Sequence, residues 1–243
     1  MRRRVLRRGE HTGSLRPPRD NIWRWQVAGK VITVAQRKGG SGKTTLAANL
    51  AVAAARAGWR VAAVDIDPQQ SLSLWFAMRG EHAADATALL ASQIKGWRVR
   101  DEVERLARSA DLVLVDSPPH DETEARLAVR AADLVLVPVQ PSPMDVWATR
   151  ETLALAREEG RPALVVLNRV PPRARLTDSM RDALAELGGE IAAARIGNRV
   201  LFASALAEGR AAAEVEPRGA AAAEIAALAQ EIFERLQGNR QSS

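Results

Sequence analysis

A glycine-rich loop with two lysines occupies residues 36–45, Gln-Arg-Lys-Gly-Gly-Ser-Gly-Lys-Thr-Thr. Because its glycines have no side chains, consecutive backbone N–H groups can surround an anion. Lys43 can reach the β- and γ-phosphates of a nucleotide, and the Thr44 hydroxyl can bind Mg²⁺. An apolar run precedes the loop and a helix-like run, residues 46–57, follows it, which is the setting of a phosphate at a helix N-terminus. The spacing therefore predicts a nucleotide phosphate site, and a simple glycine turn is the alternative interpretation.

The loop differs from the general pattern G-x-x-x-x-G-K-[ST] at its first position, where Arg37 stands in place of glycine. It also carries a second lysine, Lys38, directly before the glycine pair, and this is the deviant form of the Walker A motif. The chain is otherwise rich in arginine, and two of its four lysines lie in this loop. The composition therefore favours a compact ammonium group at each of these two positions, where a point charge on phosphate is needed.

Acidic side chains follow two of the apolar runs. Asp65 and Asp67 end one run, and alternation along an extended chain places both on the same side, directed at the glycine-rich loop. Such a carboxylate pair suits Mg²⁺ binding and the orientation of an attacking water. A capped strand end is the alternative, because Asp-Pro commonly opens a turn. Asp116 follows four apolar residues in the Walker B form and is predicted to hold a Mg²⁺-bound water.

Five short apolar runs indicate the elements that position these residues. We interpret residues 31–34, 61–64, 112–115, 134–139 and 164–167 as strands. Their continuous apolar character predicts strands buried on both faces, and helical segments separate them. The sequence therefore predicts an α/β fold with a mostly parallel twisted sheet and helices on both faces. In such folds ligands bind at the carboxyl ends of the strands, where all of these motifs fall.

Alanine-rich stretches are interpreted as helix formers rather than as low-complexity sequence. They are residues 83–91, 192–194 and 211–223, with Pro217 and Gly219 as turn residues in the last of them. The closing segment, 220–236, is predicted to form an amphipathic helix before a polar tail at 237–243.

Composition limits the organisation of the chain. With 243 residues, 47% of them hydrophobic, one domain over 31–236 is expected. The absence of cysteine excludes thiolate metal sites and iron–sulfur clusters. No apolar run approaches the roughly 20 residues that span a bilayer, so a cytoplasmic location is expected.

Residues 1–30 hold nine Arg or Lys residues against two acids, and they lack the apolar core of a secretory signal. We interpret them as a basic, disordered N-terminal extension or as sequence upstream of the true start. Contact with nucleic acid or anionic lipid through the arginines, Trp23 and Trp25 is the alternative.

Four motifs together resemble the ParA family of DNA-segregation ATPases, within the wider group that contains MinD. They are K-G-G-S-G-K-T-T at 38–45, D-I-D-P-Q at 65–69, D-S-P-P at 116–119 and P-V-Q-P-S-P at 138–143. The resemblance covers residues 31–236 and is greatest to the small ParF-type proteins, which lack a large N-terminal DNA-binding domain. It implies a P-loop NTPase fold, ATPase activity, and ATP and Mg²⁺ as cofactors.

The resemblance also implies a role for each site residue. Asp67 would position or activate the attacking water, and Asn168 would contact the adenine. Lys38 would cross to the nucleotide of a second subunit, so that ATP becomes part of a face-to-face homodimer. The implied catalytic residues are Lys38, Lys43 and Asp67; the implied metal-binding residues are Thr44, Asp67 and Asp116; the implied nucleotide-binding residues are Lys38, Gly39, Gly40, Ser41, Gly42, Lys43, Thr44, Thr45, Asp116, Pro118 and Asn168.

By the same resemblance, the ATP-bound state would bind DNA without sequence preference and associate with the nucleoid. The candidate residues are Arg195, Arg199, Arg210 and Arg218, and solvated helix faces are the alternative reading of these arginines. Basal hydrolysis would be slow, because no arginine finger is evident, and a ParB-type partner would supply the missing cation during plasmid or chromosome segregation.

Three other functions stay open. A MinD-like membrane ATPase would need a basic amphipathic closing helix, but Glu224, Glu231 and Glu234 stand there against Arg235, so no stable membrane association is expected. A ParA-like ATPase that positions a protein cargo would use the same residues, and so would a binding module without turnover. The absence of cysteine and tyrosine argues against iron–sulfur relatives of the loop and against tyrosine autokinases.

Overall fold

The computed structural model describes residues 29–82, 87–119, 122–172 and 175–238. Most of the predicted N-terminal extension, part of the polar tail and residues 83–86 of the first alanine-rich stretch lie outside these ranges. The described strands are β1 Lys30–Val34, β2 Val61–Asp65, β3 Leu90–Gln93, β4 Leu112–Asp116, β5 Leu134–Val139, β6 Ala163–Leu167 and β7 Glu190–Ile191.

The strands form one sheet in the order β3-β2-β4-β1-β5-β6-β7. Every pairing between neighbours is parallel, from β1 with β4 at the centre to β6 with β7 at one edge. The helices are α1 Lys43–Arg56, α2 Ser71–His82, α3 Val99–Ala107, α4 Glu122–Ala131, α5 Pro143–Glu158, α6 Arg175–Glu186, α7 Val200–Ala207, α8 Ala212–Val215 and α9 Ala220–Gly238. A short 3₁₀ helix, Gly96–Arg98, lies between β3 and α3.

Helices cover both faces of the sheet, which confirms the predicted fold class. On one face α1 packs directly on the strands, and all of its alanines except Ala55 are almost fully buried because α9 lies close on its other side. Trp59 stacks on Phe233 with ring centroids 4.2 Å apart, which fixes α9 to the end of α1. The opposite face is covered by α3, α4, α5 and α6, which bury two further apolar clusters against the strands.

The five predicted strands are all present, whereas β3 and β7 were not predicted. Both lie at edges of the sheet, where an apolar run is not needed: β3 is mostly exposed and β7 has two residues. The helix expected over 83–91 is wrong at Leu90 and Ala91, because Ala91 pairs with Ala63 of β2.

The helix expected over 192–194 is also wrong. The Ala192 N–H donates to the Val165 carbonyl at 2.8 Å, and the N–H groups of Ala193 and Ala194 donate to the Glu231 carboxylate at 3.0 and 3.1 Å. Pairing with the sheet and with α9 therefore outweighs the helix propensity of alanine.

The C-terminal helix is as predicted, with Pro217 and Gly219 in the turn before it. Within the described residues, no helix combines the length and apolar character that crossing a bilayer requires.

Candidate nucleotide-binding site

The glycine-rich loop joins β1 to α1 at the carboxyl edge of the sheet. Gly40 and Gly42 have φ angles of 74° and 94°, in the left-handed region that favours glycine. A Cβ atom added to Gly42 would lie 2.4 Å from the Asn168 side-chain nitrogen, so no larger residue fits there without displacing Asn168. Both glycines thus shape the loop so that its backbone can approach an anion closely, before α1 begins at Lys43.

Lys43 is buried beneath the loop, and its Nζ atom donates to the Gln36 carbonyl at 3.1 Å. Burial lowers the pKa of Lys43 below its ordinary value, while the charges of Asp116 and Asp67 act in the opposite direction. These carboxylates are therefore close enough to act electrostatically on Lys43, as a site that combines cationic and metal-binding groups requires.

Thr44 and Asp116 form the part of the site that suits a metal ion. The Thr44 hydroxyl donates to Asp116 Oδ2 at 2.6 Å. Burial raises the pKa of Asp116 to about 7, although the Thr44 hydrogen bond lowers it. Asp116 Oδ1 is buried and has no hydrogen-bond partner in the part of the chain that the structure describes.

These oxygen donors fit Mg²⁺, which is usually held by one or two protein oxygens together with waters and substrate phosphates. Among the described residues, no three or more histidine, cysteine or acidic side chains are grouped so that they could hold a metal.

Asp65 and Asp67, the expected pair of carboxylates after β2, have different partners. Asp65 Oδ1 accepts the Asp67 N–H at 3.0 Å, and its Oδ2 accepts the Ser73 N–H and hydroxyl, both at 2.8 Å, while its charge also acts on Asp116. Asp65 therefore fixes the turn before α2, which is the capped strand end that the Asp-Pro pair also indicated. Asp67 lies in this turn and accepts the Gln69 N–H at 2.9 Å, while its charge acts on Lys43.

Lys38 is paired within its own chain. Its Nζ lies 2.5 Å from Asp145 Oδ2, and Asp145 is buried in the first turn of α5, where the Ser142 hydroxyl also contacts the same oxygen. Asp145 Oδ1 is buried and, among the described residues, unpartnered. Asp145 was not predicted from the sequence, although Ser142-Pro143 followed by an acid is a recognisable helix start.

A buried polar network ties the start of the loop to α5, and it too was missed. The Gln36 side chain donates to Thr149 Oγ1 at 3.0 Å and accepts from Thr152 Oγ1 at 3.1 Å. Thr152 Oγ1 in turn accepts the Arg37 N–H at 3.3 Å. Because all three side chains are buried, this network fixes the loop to the first three turns of α5.

Asn168 follows β6 and lies against the other side of the loop. Its Nδ2 donates to the Ser41 carbonyl at 2.7 Å, and its Oδ1 accepts the Arg169 N–H at 3.0 Å. Arg169 has a φ of 52°, which is rare for a residue of this size. Asn168 thus braces the phosphate loop, and the adenine contact stays a prediction.

The remaining predicted site residues lie around this centre. Ser41 is buried, and its hydroxyl makes no hydrogen bond to the described chain. The Thr45 carbonyl accepts from Asn49, and Gly39 and Pro118 lie in the turns after β1 and β4.

Over residues 32–212 the chain matches the family described as the CobQ/CobB/MinD/ParA nucleotide binding domain. The chain belongs to the ParA/MinD family. Among its relatives, "Maintenance of carboxysome distribution protein A" of Halothiobacillus neapolitanus is 31% identical over 202 residues, 79% of this chain and 91% of the relative. "Chromosome-partitioning ATPase Soj" of Thermus thermophilus is 30% identical over 246 residues, 85% of this chain and 96% of the relative.

A solved structure of an ATP complex of a McdA variant from Cyanothece has the same fold. It superposes with a TM-score of 0.69 at 18% identity, covering 87% of this chain and 97% of the other. In this ParA/MinD family chain, the loop, Lys43, Thr44 and Asp116 thus occupy the carboxyl edge of the sheet, where α/β folds bind ligands.

The four arginines proposed to bind DNA lie on segments around α7, α8 and α9, and the segment from Arg195 to Arg199 runs beside the chain that leaves β6. Arg199 is held by Glu224, with Nη2 2.6 Å from Oε1 and Nε 3.1 Å from Oε2. Arg195 precedes α7, Arg210 lies between α7 and α8, and Arg218 lies in the exposed turn before α9. The structure therefore shows an ion pair at Arg199, and the DNA contact of all four stays a prediction.

Proposed function

We propose that the protein is an Mg²⁺-dependent ATPase that dimerises on ATP, binds DNA without sequence preference and uses hydrolysis to position a cargo. The observation that carries this proposal is the meeting of Lys43, Thr44 and Asp116 beneath a glycine loop with left-handed Gly40 and Gly42. Membership in the ParA/MinD family supports ATP as the nucleotide.

Each residue of the site has a task in this proposal. The loop amides and Lys43 hold the phosphates, and the Thr44 hydroxyl with Asp116 holds the metal or its water. When bound, Mg²⁺ neutralises charge on the phosphates, and it also favours the charged form of Asp116, which burial alone disfavours. Asp67 lies in the turn after β2, where a carboxylate can orient the attacking water.

Lys38 links the nucleotide to dimerisation. To reach the nucleotide of a second copy, it must exchange the Asp145 carboxylate for a phosphate oxygen. This exchange is feasible because the Lys38 side chain is 37% exposed, whereas its partner Asp145 is 2% exposed. The Lys38 side chain can therefore move into solvent while Asp145 keeps its place in α5. Release of the dimer would follow hydrolysis, because the phosphate that binds Lys38 is then lost.

Two cargoes fit such a cycle. Segregation of a plasmid or chromosome through a ParB-type partner is supported by the likeness to Soj. A protein assembly is the second candidate, and the likeness to a carboxysome distribution protein favours it. A small DNA-binding partner encoded beside this chain, with repeated DNA sites nearby, would favour segregation. In both cases we propose a cytoplasmic, nucleoid-associated location.

Nucleotide titration and turnover of the purified chain test the proposal. We expect a fluorescent ATP analogue to bind in the presence of Mg²⁺ and slow ATP hydrolysis that DNA and partner together stimulate. Lys43→Ala should lose nucleotide binding, because the buried ammonium is removed, whereas Asp67→Ala should bind ATP and remain dimeric without turnover. Rapid hydrolysis by the chain alone, or a monomer by light scattering with a non-hydrolysable ATP analogue, would contradict the proposal.

A further inference from the structure

A cationic surface lies at the β3 edge of the sheet, on the segment that leaves β3. The β3-edge patch consists of Lys95, Trp97, Arg98 and Arg100, all of them exposed. Residues 87–100 contain no acidic side chain. Trp97 is 68% exposed, and the Arg98 guanidinium lies 5.7 Å from the centre of its ring. An aromatic plane between cations is a common arrangement in surfaces that bind polyanions.

The cations of the patch are available to a ligand. Within the described ranges Lys95 forms no ion pair, whereas Lys30 and Lys38 bind carboxylates and Lys43 binds a carbonyl. Two acids of the first turn of α3 follow Arg98 in the chain. Asp101 is exposed, and Glu102, on which the charge of Arg98 also acts, already accepts hydrogen bonds from Arg105 and Ser92. Arg100 pairs with Glu104, but both side chains are largely exposed, so this pair contributes little and is easily exchanged.

The patch lies on the nucleotide side of the molecule. Gln93 pairs in register with Asp65, and the Ile94 N–H donates to the Asp65 carbonyl at 3.1 Å. The chain therefore leaves β3 beside the turn that holds Asp67. In contrast, Arg199, one of the four arginines that the sequence predicted to bind DNA, already donates two of its nitrogens to Glu224.

We infer that the β3-edge patch binds the phosphate backbone of DNA. Three exposed cations within six residues, one of them over the Trp97 ring, suit a row of phosphates, with Trp97 lying against the sugars. A membrane contact would need more apolar side chains than Trp97 alone, since the exposed Leu90 lies at the other end of β3. This inference rests on the proposed DNA binding of the ATP state and gives it a location other than the C-terminal arginines.

The test compares two double variants that remove the same charge. Lys95→Ala/Arg98→Ala removes two cations from the patch. Arg56→Ala/Arg108→Ala is the matched control, because Arg56 is the last residue of α1 and Arg108 is the C-cap of α3, so both lie at helix ends away from the patch. Binding of a labelled random-sequence duplex is measured over a range of salt concentrations with a non-hydrolysable ATP analogue and Mg²⁺, and nucleotide binding is measured separately.

We expect the patch variant to lose about tenfold or more in DNA affinity, with a salt slope shallower by about 1.8, or 0.9 for each lost phosphate contact. The control should keep the parent slope, and both variants should bind nucleotide as the parent does. Trp97→Ala should weaken binding severalfold without changing the slope, because no charge is removed.

The outcomes separate the inference from the function on which it rests. If the parent chain binds no DNA with the ATP analogue, the proposed DNA binding fails and the inference fails with it. If the parent binds and the two double variants weaken binding equally, the patch is not the contact surface, while the proposed function stands. Loss of binding to phosphatidylglycerol vesicles rather than to DNA in the patch variant would assign the surface to lipid and overturn the inference.

Discussion

Two buried carboxylates, Glu214 in α8 and Asp145 in α5, bind cations in very different ways. Both oxygens of Glu214 are fully used: Oε1 accepts from Arg79 and the Thr87 N–H, and Oε2 accepts from Arg79 and the Ala211 N–H. Asp145 has one oxygen in use, by Lys38 and Ser142, and its Oδ1 has no partner in the described chain.

The difference indicates which ion pair is permanent. The side chains of Arg79 and Glu214 are 7% and 5% exposed, and the pair joins α2 to α8, so neither can leave without stranding a buried charge. Departure of Lys38 also leaves the buried Asp145 without its cation, but the Ser142 hydroxyl still contacts Asp145 Oδ2. Because Lys38 itself is 37% exposed and lies at the nucleotide edge, it can be solvated or bind a phosphate when it leaves, so its departure costs less than that of the buried Arg79. The same chemical pairing therefore serves as a fixed link in one region and as a releasable contact in the other.

The largest expected effect is on the fixed pair. Arg79→Ala should lower the free energy of unfolding by about 3–5 kcal/mol, because it leaves Glu214 buried without its cation. Denaturant titration measures this, and Arg79→Lys gives a milder form should the alanine variant not fold. Arg60→Ala is the control: Arg60 pairs with Asp111 while its own side chain is 54% exposed, so the cost should stay below about 1 kcal/mol. Equal losses would show that burial does not distinguish the two pairs.

Acid should weaken the fixed pair next. Burial raises the pKa of Glu214, but the bonds from Arg79, Ala211 and Thr87 outweigh it and hold the pKa at about 2. This pKa lies below the ~4.3 of a glutamate in the unfolded chain, so ionised Glu214 stabilises the folded state. The stabilisation is complete above about pH 4.3 and disappears as the pH falls toward about 2. Unfolding measured between neutral and acidic pH should therefore show a loss that Glu214→Gln reduces. An unchanged pH profile in this variant would assign the acid sensitivity to other carboxylates.

Releasing the other pair should change assembly more than stability. Asp145→Asn removes the charge that holds Lys38 while its amide can still bond Ser142, so the ATP-dependent dimer should tighten on the order of tenfold. Light scattering against protein concentration measures this. Asp133→Asn is the matched control, since Asp133 binds Lys30 at the start of β1 and away from the loop. A weaker dimer in Asp145→Asn would mean that Asp145 prepares Lys38 for its role instead of restraining it.

The smallest effect is expected at Ser142, the N-cap of α5. Its hydroxyl accepts the Asp145 N–H at 3.2 Å, so Ser142→Ala should cost about 1 kcal/mol of unfolding free energy. Thermal unfolding measures this, with Ser109→Ala at the exposed end of α3 as the control. No change at Ser142 would mean that Lys38 and Pro143 alone fix the first turn of α5.

The features that depend on a local sequence pattern, Lys38 and the central strands, were predicted from the sequence. Lys38 was found because it stands beside glycines, and the central strands were found because burial on both faces demands continuous apolar runs. Its partner Asp145 gave no such signal, since the contact depends on how α5 crosses the loop. Arg79 and Glu214 lie far apart in the chain, and spacing carries no information about a contact that two helices create by packing.

The errors have the same origin. Asp65 and Asp67 share a side of an extended chain, but the strand ends at Asp65 and the chain turns, so alternation no longer applies after it. The conformation of β3 and of residues 192–194 is set by hydrogen bonds to the sheet and to α9 rather than by the helix propensity of alanine. Predictions from the sequence were therefore correct where local sequence determines a residue's environment, and they were wrong where tertiary contacts determine it.

The two left-handed glycines of the phosphate loop differ in the space around them. A side chain at Gly42 would meet Asn168, whereas an added Cβ at Gly40 has no atom within 4 Å. In a library randomised at both positions and selected for retention on immobilised nucleotide, position 42 should return glycine alone. Position 40 should also admit asparagine, which tolerates the same backbone angles. Directed evolution can therefore vary this loop at Gly40 but not at Gly42, where the loop contacts Asn168.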